Sequence, residues 1–146
     1  MDTTRLPPDF KEFLKLLNSS NVEYLLIGGY AVGYYGYPRT TGDMDIWIPR
    51  NPNTAGKIVV ILEEFGFTCP VQVLLAENQV VRMGVPPFRI EVLTTIDGVK
   101  FSECYTERVQ VMLDGVEVSL ISLPRLKENK KASGRSKDIT DLENLP

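Results

Sequence analysis

Between Glu23 and Ile48 the chain reads EYLLIGGYAVGYYGYPRTTGDMDIWI, and the chemistry available there lies in Asp43, Asp45 and the Gly28-Gly29 pair. Asp43 and Asp45 sit two apart in an apolar run, Asp43-Met44-Asp45-Ile46-Trp47-Ile48. Residues two apart on a β-strand point to the same face, so both carboxylates would converge on one spot. Magnesium favours such oxygens and keeps places open for water and substrate phosphates. Two such ions can clamp the attacking and leaving oxygens of an in-line displacement. The same pair also reads as a solvent-facing acidic doublet at a strand start. Gly28-Gly29, at the end of the apolar run Tyr24 to Ile27, either lets backbone N–H groups approach phosphate oxygens or simply makes a tight strand-to-helix turn.

Glu91 is a third acidic candidate. It stands between Ile90 and Val92 in Arg89-Ile90-Glu91-Val92-Leu93, so on a strand its apolar neighbours face the other way. Such a carboxylate either faces solvent or completes a metal cluster. If its strand lies beside that of Asp43, three carboxylates meet, and they would repel one another unless cations sit among them. Near the C-terminus Lys130, Lys131, Arg135 and Lys137 form a basic run, which by itself reads as a solvated surface. The chain has no histidine. Histidine-based triads and relays are therefore excluded, and acid–base work falls to carboxylates, Lys, Tyr or Cys.

The elements that must position these groups follow from periodicity. The 146 residues suffice for a single domain over 1–146 with one core. Residues 7–18 predict an opening helix, with Phe10, Phe13, Leu14 and Leu17 at helical spacing. Glu23 to Ile27 predicts a strand covered on both faces, and Gly29 to Gly36 a helix. Along that helix Tyr30, Tyr34 and Tyr37 pack into the core or offer rings to a base. Pro38 to Gly42 predicts a loop, Asp43 to Ile48 a strand, and 54–65 an amphipathic helix opened by Asn53 or Thr54 and closed at Gly66.

Strands are expected at Val71 to Leu75, Gln79 to Met83 and Phe88 to Thr94, with a turn at Asp97-Gly98. Residues 107–113 and 116–121 flank Asp114-Gly115, the strongest hairpin signal in the chain. Helices are expected over Pro124 to Lys131 and Lys137 to Leu145. The fold class is α+β, with a mixed or antiparallel sheet and helices packed against it.

No stretch approaches the ~20 apolar residues of a membrane span, and MDTTRLPPDF lacks the basic start and apolar core of a signal peptide. A cytoplasmic location without membrane partners is the expectation. Cys69 and Cys104, the only two cysteines, are expected as free thiols. A net charge of −3 argues against a general nucleic-acid binder, which would carry a basic excess.

Gly28-Gly29, then Asp43-x-Asp45, then isolated Glu91 on a later strand: this order resembles the polymerase-β nucleotidyltransferase superfamily. The tail from Asn129 to Leu142 resembles the K…R-x-K-D-x-x-D segment of its small bacterial members, including the abortive-infection toxin branch. Arg39 and Thr41, with Thr40 between them, match the R-x-T-x-D-x-D form found there. The likeness spans roughly Phe10 to Leu145. It departs at Gly29, where many relatives carry Ser; the backbone amide stays but a hydroxyl toward the triphosphate is lost.

The resemblance implies a nucleotidyltransferase-like fold and transfer of a nucleoside monophosphate from an NTP to an acceptor hydroxyl, with release of pyrophosphate. Asp43, Asp45 and Glu91 would ligate two Mg2+ ions, for which Mn2+ can substitute. Gly28 and Gly29 would cradle the β,γ-phosphates. Arg39, Thr41, Lys130 and Lys137 would bind the nucleotide, and Asp138 and Asp141 would orient substrate or support the groups that do. The acceptor is a protein side chain, a tRNA end or a small molecule. The helical domain with which larger members hold an acceptor has no counterpart here unless a partner protein supplies it. Two other readings stand beside this one: a catalytically silent nucleotide-binding module, and one component of a toxin–antitoxin pair.

Overall fold

The structure, a computed structural model, describes residues 5–36 and 42–146. In chain order they form α1 (Pro8–Ser19), β1 (Leu25–Ile27), α2 (Gly28–Tyr34), β2 (Asp43–Trp47), α3 (Pro52–Glu64), α4 (Val71–Leu75) and β3 (Val80–Met83). Then follow β4 (Arg89–Leu93), α5 (Phe101–Thr106), β5 (Val109–Leu113), β6 (Val116–Leu120), α6 (Leu123–Ser133) and α7 (Ser136–Asn144).

The strands make one sheet in the order β3-β4-β2-β1-β6-β5. β2 and β4 run parallel, as do β1 and β6, and the other pairs are antiparallel. Of the two sheets expected, the mixed one is realised. Alternation decides what each face carries. Met44, Ile46, Ile90 and Val92 are buried in one core with Phe10, Phe13, Leu14 and Leu17 of α1 and Ile58, Ile61 and Leu62 of α3. Each fully buried side chain of this size contributes about 1.5–3 kcal/mol, so this face holds the sheet in place. The opposite face of β2 carries Asp43 and Asp45 at one end and buried Trp47 at the other.

One expectation fails, and one element goes beyond those expected, for identifiable reasons. Val71 to Leu75 is a short helix, not a strand. The run VQVLL has no alternation to separate the two; Val73 N–H closes a turn onto Pro70 O, Leu74 is buried, and Arg50 donates to Leu75 O at 3.2 Å. Residues 101–106, to which no element was assigned, form α5. Its Phe101 and Tyr105 stack one helical turn apart (ring centroids 5.4 Å), and Phe101 meets Trp47 edge-on at 5.2 Å. The helix before Gly66 opens earlier than expected, at Pro52, because Asn51 caps it by accepting from Thr54 N–H at 2.8 Å.

The Asp114-Gly115 hairpin joins β5 and β6 as expected. Asp114 also anchors the N-terminal segment through Leu6 N–H and the Arg5 and Lys11 side chains. Tyr30 packs edge-on against Phe10, and Tyr35 O–H donates to Ile121 O at 2.6 Å. Tyr34 is exposed, and Tyr37 lies outside the described residues.

Candidate active site

β2 and β4 are neighbours in register, with Asp43 opposite Arg89 and Asp45 opposite Glu91. The face turned away from the apolar core therefore carries Asp43, Asp45, Arg89 and Glu91 side by side. β3 adds Arg82 opposite Glu91. Together with Gly28, Gly29, Lys130, Arg135 and Lys137, these residues line a cavity of about 440 Å³.

Gly28 is fitted to this place by two constraints. Its φ of +70° is left-handed, and a Cβ there would lie 2.2 Å from Asp45 Oδ2. Only glycine lets the chain turn from β1 into α2 while its backbone stands against the carboxylate. Gly29 follows, buried at the start of α2.

α6 and α7 close the cavity from the other side. Asn129 donates to Asp97 O at 2.9 Å and Ser133 Oγ to Asp97 Oδ2 at 3.2 Å, docking α6 on the loop after β4. Gly98 lets the loop approach this closely, since a Cβ there would fall 2.4 Å from that of Ala132. Lys130 is 4% exposed and forms ion pairs of 3.1 Å with both Asp138 and Asp141. Arg135 adds a 2.7 Å contact from Nε to Asp138 Oδ2. Lys130 thus borders the cavity with its ammonium spent on two buried aspartates, which hold α6 and α7 together. Lys137 is exposed and its charge reaches Asp45. Arg39 and Thr41 lie outside the described residues.

The electrostatics of the carboxylate face are strained. Burial drives the Asp45 carboxyl up to about 7, with the nearby Glu91 and Asp43 charges pushing the same way and Lys137 opposing. Asp45 Oδ1 is buried and has no hydrogen-bond partner among the described residues. Arg89 Nη2 stands 3.0 Å from both Asp43 Oδ2 and Glu91 Oε1, and Arg82 Nε lies 3.3 Å from Glu91 Oε1. Among the described residues no three acidic side chains form a ready-made metal cage; the Arg89 guanidinium lies between Asp43 and Glu91. The donor set nonetheless suits a hard divalent cation: all its ligating atoms are oxygens, one is orphaned, and a positive charge already fills the gap.

Arg89 and Arg82 were not singled out from sequence. Arg89 was within reach, because the alternation that places Glu91 on this face places the residue two before it there as well. Arg82 was not, because its position depends on the pairing of β3 with β4.

No protein-family model and no curated protein sequence matches the chain. Solved structures do. A Thermotoga maritima protein described as a candidate nucleotidyltransferase shares 16% identity at a TM-score of 0.65, over 97% of this chain and 94% of that one. ANT(2")-Ia in complex with adenylyl-2"-tobramycin shares 15% at 0.59, over 92% and 83%. An antigenic nucleotidyltransferase-like protein from Paracoccidioides brasiliensis shares 20% at 0.55, over 91% and 71%. At such identities the likeness is one of fold. The chain has the fold of these nucleotidyltransferases.

Proposed function

We propose that this chain transfers a nucleoside monophosphate from an NTP to an acceptor hydroxyl. The observation that carries the reading is Asp45, opposite Glu91 and beside Asp43, under-compensated in the same cavity as the Gly28-Gly29 turn. Asp45, buried beside two other acids and with an unbonded oxygen, is where a cation brought in with a ligand would be stabilised most. The neighbour crystallised with adenylyl-2"-tobramycin supports a hydroxyl-bearing acceptor.

Asp43, Asp45 and Glu91 would hold magnesium, or manganese in its stead. When bound, the metal supplies positive charge where the phosphate oxygens and the acceptor oxygen meet. The chain's own residues do the rest. Gly28 and Gly29 line the same cavity and would offer backbone N–H groups to triphosphate oxygens, and Lys137 and Arg135 would offset phosphate charge from the α6–α7 side. Arg89 lines the same cavity and, freed from Asp43 and Glu91, would face the same anion. A bond forms between the acceptor oxygen and the α-phosphorus as the bond from that phosphorus to pyrophosphate breaks, and the hydroxyl proton passes to solvent water.

Label transfer tests this. The protein is incubated with magnesium and each α-labelled NTP, with cell extract as acceptor source, beside an Asp43→Asn/Asp45→Asn control. Label on a macromolecule or small molecule, lost in the control, is the expected result. The Arg89 bridge gives one observation in favour of the silent-module reading. NTP-induced thermal stabilisation without pyrophosphate release under any condition would establish that reading instead.

A further inference from the structure

A second cavity, of about 790 Å³, opens on the same sheet face beyond Trp47. Its walls include Trp47, Thr95, Ile96, Val99, Phe101 and Tyr105. Thr95 and Ile96 also line the carboxylate cavity, so the two spaces share a wall. Direction along the strands gives this neighbourhood its meaning. β1 and β2 run antiparallel, with Leu25 opposite Trp47 and Ile27 opposite Asp45. Gly28 follows Ile27, so the glycine turn lies past Asp45 at the Asp43 end. Trp47 lies at the other end. In an in-line displacement the entering and leaving oxygens take opposite sides of the phosphorus. With pyrophosphate held toward Gly28-Gly29, the attacking hydroxyl enters from the side away from that turn, which along β2 is the side of Trp47.

The lining says what can carry that hydroxyl. Trp47, Ile96, Val99, Phe101 and Tyr105 give the cavity an aromatic and aliphatic wall, as small-molecule sites have, beside a polar and charged rim. The charges at its rim cancel: Glu23 and Glu77 against Arg50 and Lys100, with Arg50 paired to Glu77 at 3.3 Å. A polynucleotide would need a basic excess here, and a polycation an acidic one. Several polar groups are already held by the protein. Arg50 is tied to Glu77 and to Leu75 O, and Thr95 Oγ1 accepts from Asn78 N–H and donates to Asn78 Oδ1. The cavity is therefore shaped in advance and offers a ring-sized apolar surface.

We infer that this cavity is the acceptor subsite and that the acceptor is an uncharged, hydroxyl-bearing small molecule with an aromatic ring. This rests on the transferase reading, and the test separates the two. Trp47 is the only tryptophan in the chain and lines the cavity, so its fluorescence reports occupancy. Para-nitrophenyl glucoside, an uncharged aryl glycoside with free hydroxyls, is titrated into the whole protein without metal or nucleotide. A single-stranded oligonucleotide and a polycationic amino sugar are titrated in parallel.

Saturable quenching by the glucoside is expected. Ser102→Phe, an exposed position that places a ring in the cavity, should weaken it about tenfold. Val99→Phe should do the same from inside, and Asp45→Asn should leave it unchanged. With Mg-NTP present the glucoside should raise pyrophosphate release, and Ser102→Phe should raise the KM for the glucoside without changing that for NTP. No quenching, or quenching indifferent to both fillers, while extract still supports label transfer, overturns the subsite and leaves the transferase reading standing. Tighter binding of the oligonucleotide or the amino sugar overturns the acceptor class. Filler-sensitive quenching with no pyrophosphate release from any NTP, with glucoside or extract, overturns the transferase reading and with it the acceptor role.

Discussion

Asp45 on β2 and Asp138 on α7 are both aspartates drawn out of water, yet their carboxyls are driven in opposite directions. At Asp45 burial raises the pKa to about 7, and Glu91 and Asp43 add their negative charge to it. At Asp138 burial also raises it, but bonds from Arg135 and Lys130 outweigh that, and the carboxyl lies below its ordinary value. One cluster is acid against acid, with arginines borrowed from neighbouring strands. The other is acid against a buried lysine, which it shares with Asp141, and against Arg135. A pair closed within the protein is a structural device; an acid left short of cations has room for a cation from outside.

The contrast can be broken by substitution. Asp45→Asn should lower transfer by a factor on the order of 10²–10³, the scale of losing a charge-stabilising group at the reacting centre, and leave the urea midpoint unchanged or higher, because it removes a desolvated charge from a repelling group. A midpoint that falls with activity would make Asp45 a structural acid like Asp138. Lys130→Met should do the reverse. It leaves Asp138 and Asp141 buried with only part of their compensation and should cost about 3 kcal/mol of stability, read from urea unfolding. An unmoved midpoint would make its ammonium free for nucleotide after all.

Gly28→Ala tests whether the turn and the carboxylate are matched. The left-handed φ alone costs about 1–2 kcal/mol, and the added methyl must displace Asp45, so activity should fall further than stability accounts for. Equal losses in both would reduce Gly28 to a turn residue.

Acid titration sharpens the comparison with a smaller effect. Because the folded pKa of Asp138 is lowered, its contribution to stability is complete above the ordinary aspartate value of about 3.9 and is lost as pH falls through the folded value. The wild-type urea midpoint should therefore drop more steeply from pH 5 to pH 3, as a range of about 2 units about that value, than that of Asp138→Asn. Parallel slopes would remove Asp138 as the titrating group. The smallest effect concerns Cys104, whose thiol burial pushes up to about 11: at neutral pH alkylation should reach it only on unfolding.

Much of the fold was readable because its signals are local. The period of Phe10, Phe13, Leu14 and Leu17 made α1, and Asp114-Gly115 made the β5–β6 hairpin. Val71 to Leu75 was misread for want of any such period, since its helix depends on packing and on Arg50. At the site, the two-residue spacing of Asp43 and Asp45 placed them on one face, but nothing local could put Asp45 opposite Glu91 across some 45 residues of intervening chain. Lys130 misled in a different way. As a residue type it reads as a surface cation, and its burial follows only from how α6 and α7 pack.

By itself, then, the sequence determined which residues could do chemistry, which faces they take, and that the order of glycines and acids resembles one superfamily. Those properties are set by side-chain type and by periods of two and 3.6 residues along the chain. Tertiary structure alone decided which acids meet, which cations answer them and which space lies beyond Trp47. Register and ion pairing depend on residues far apart in the chain, and their strength depends on how much water the packing leaves around them.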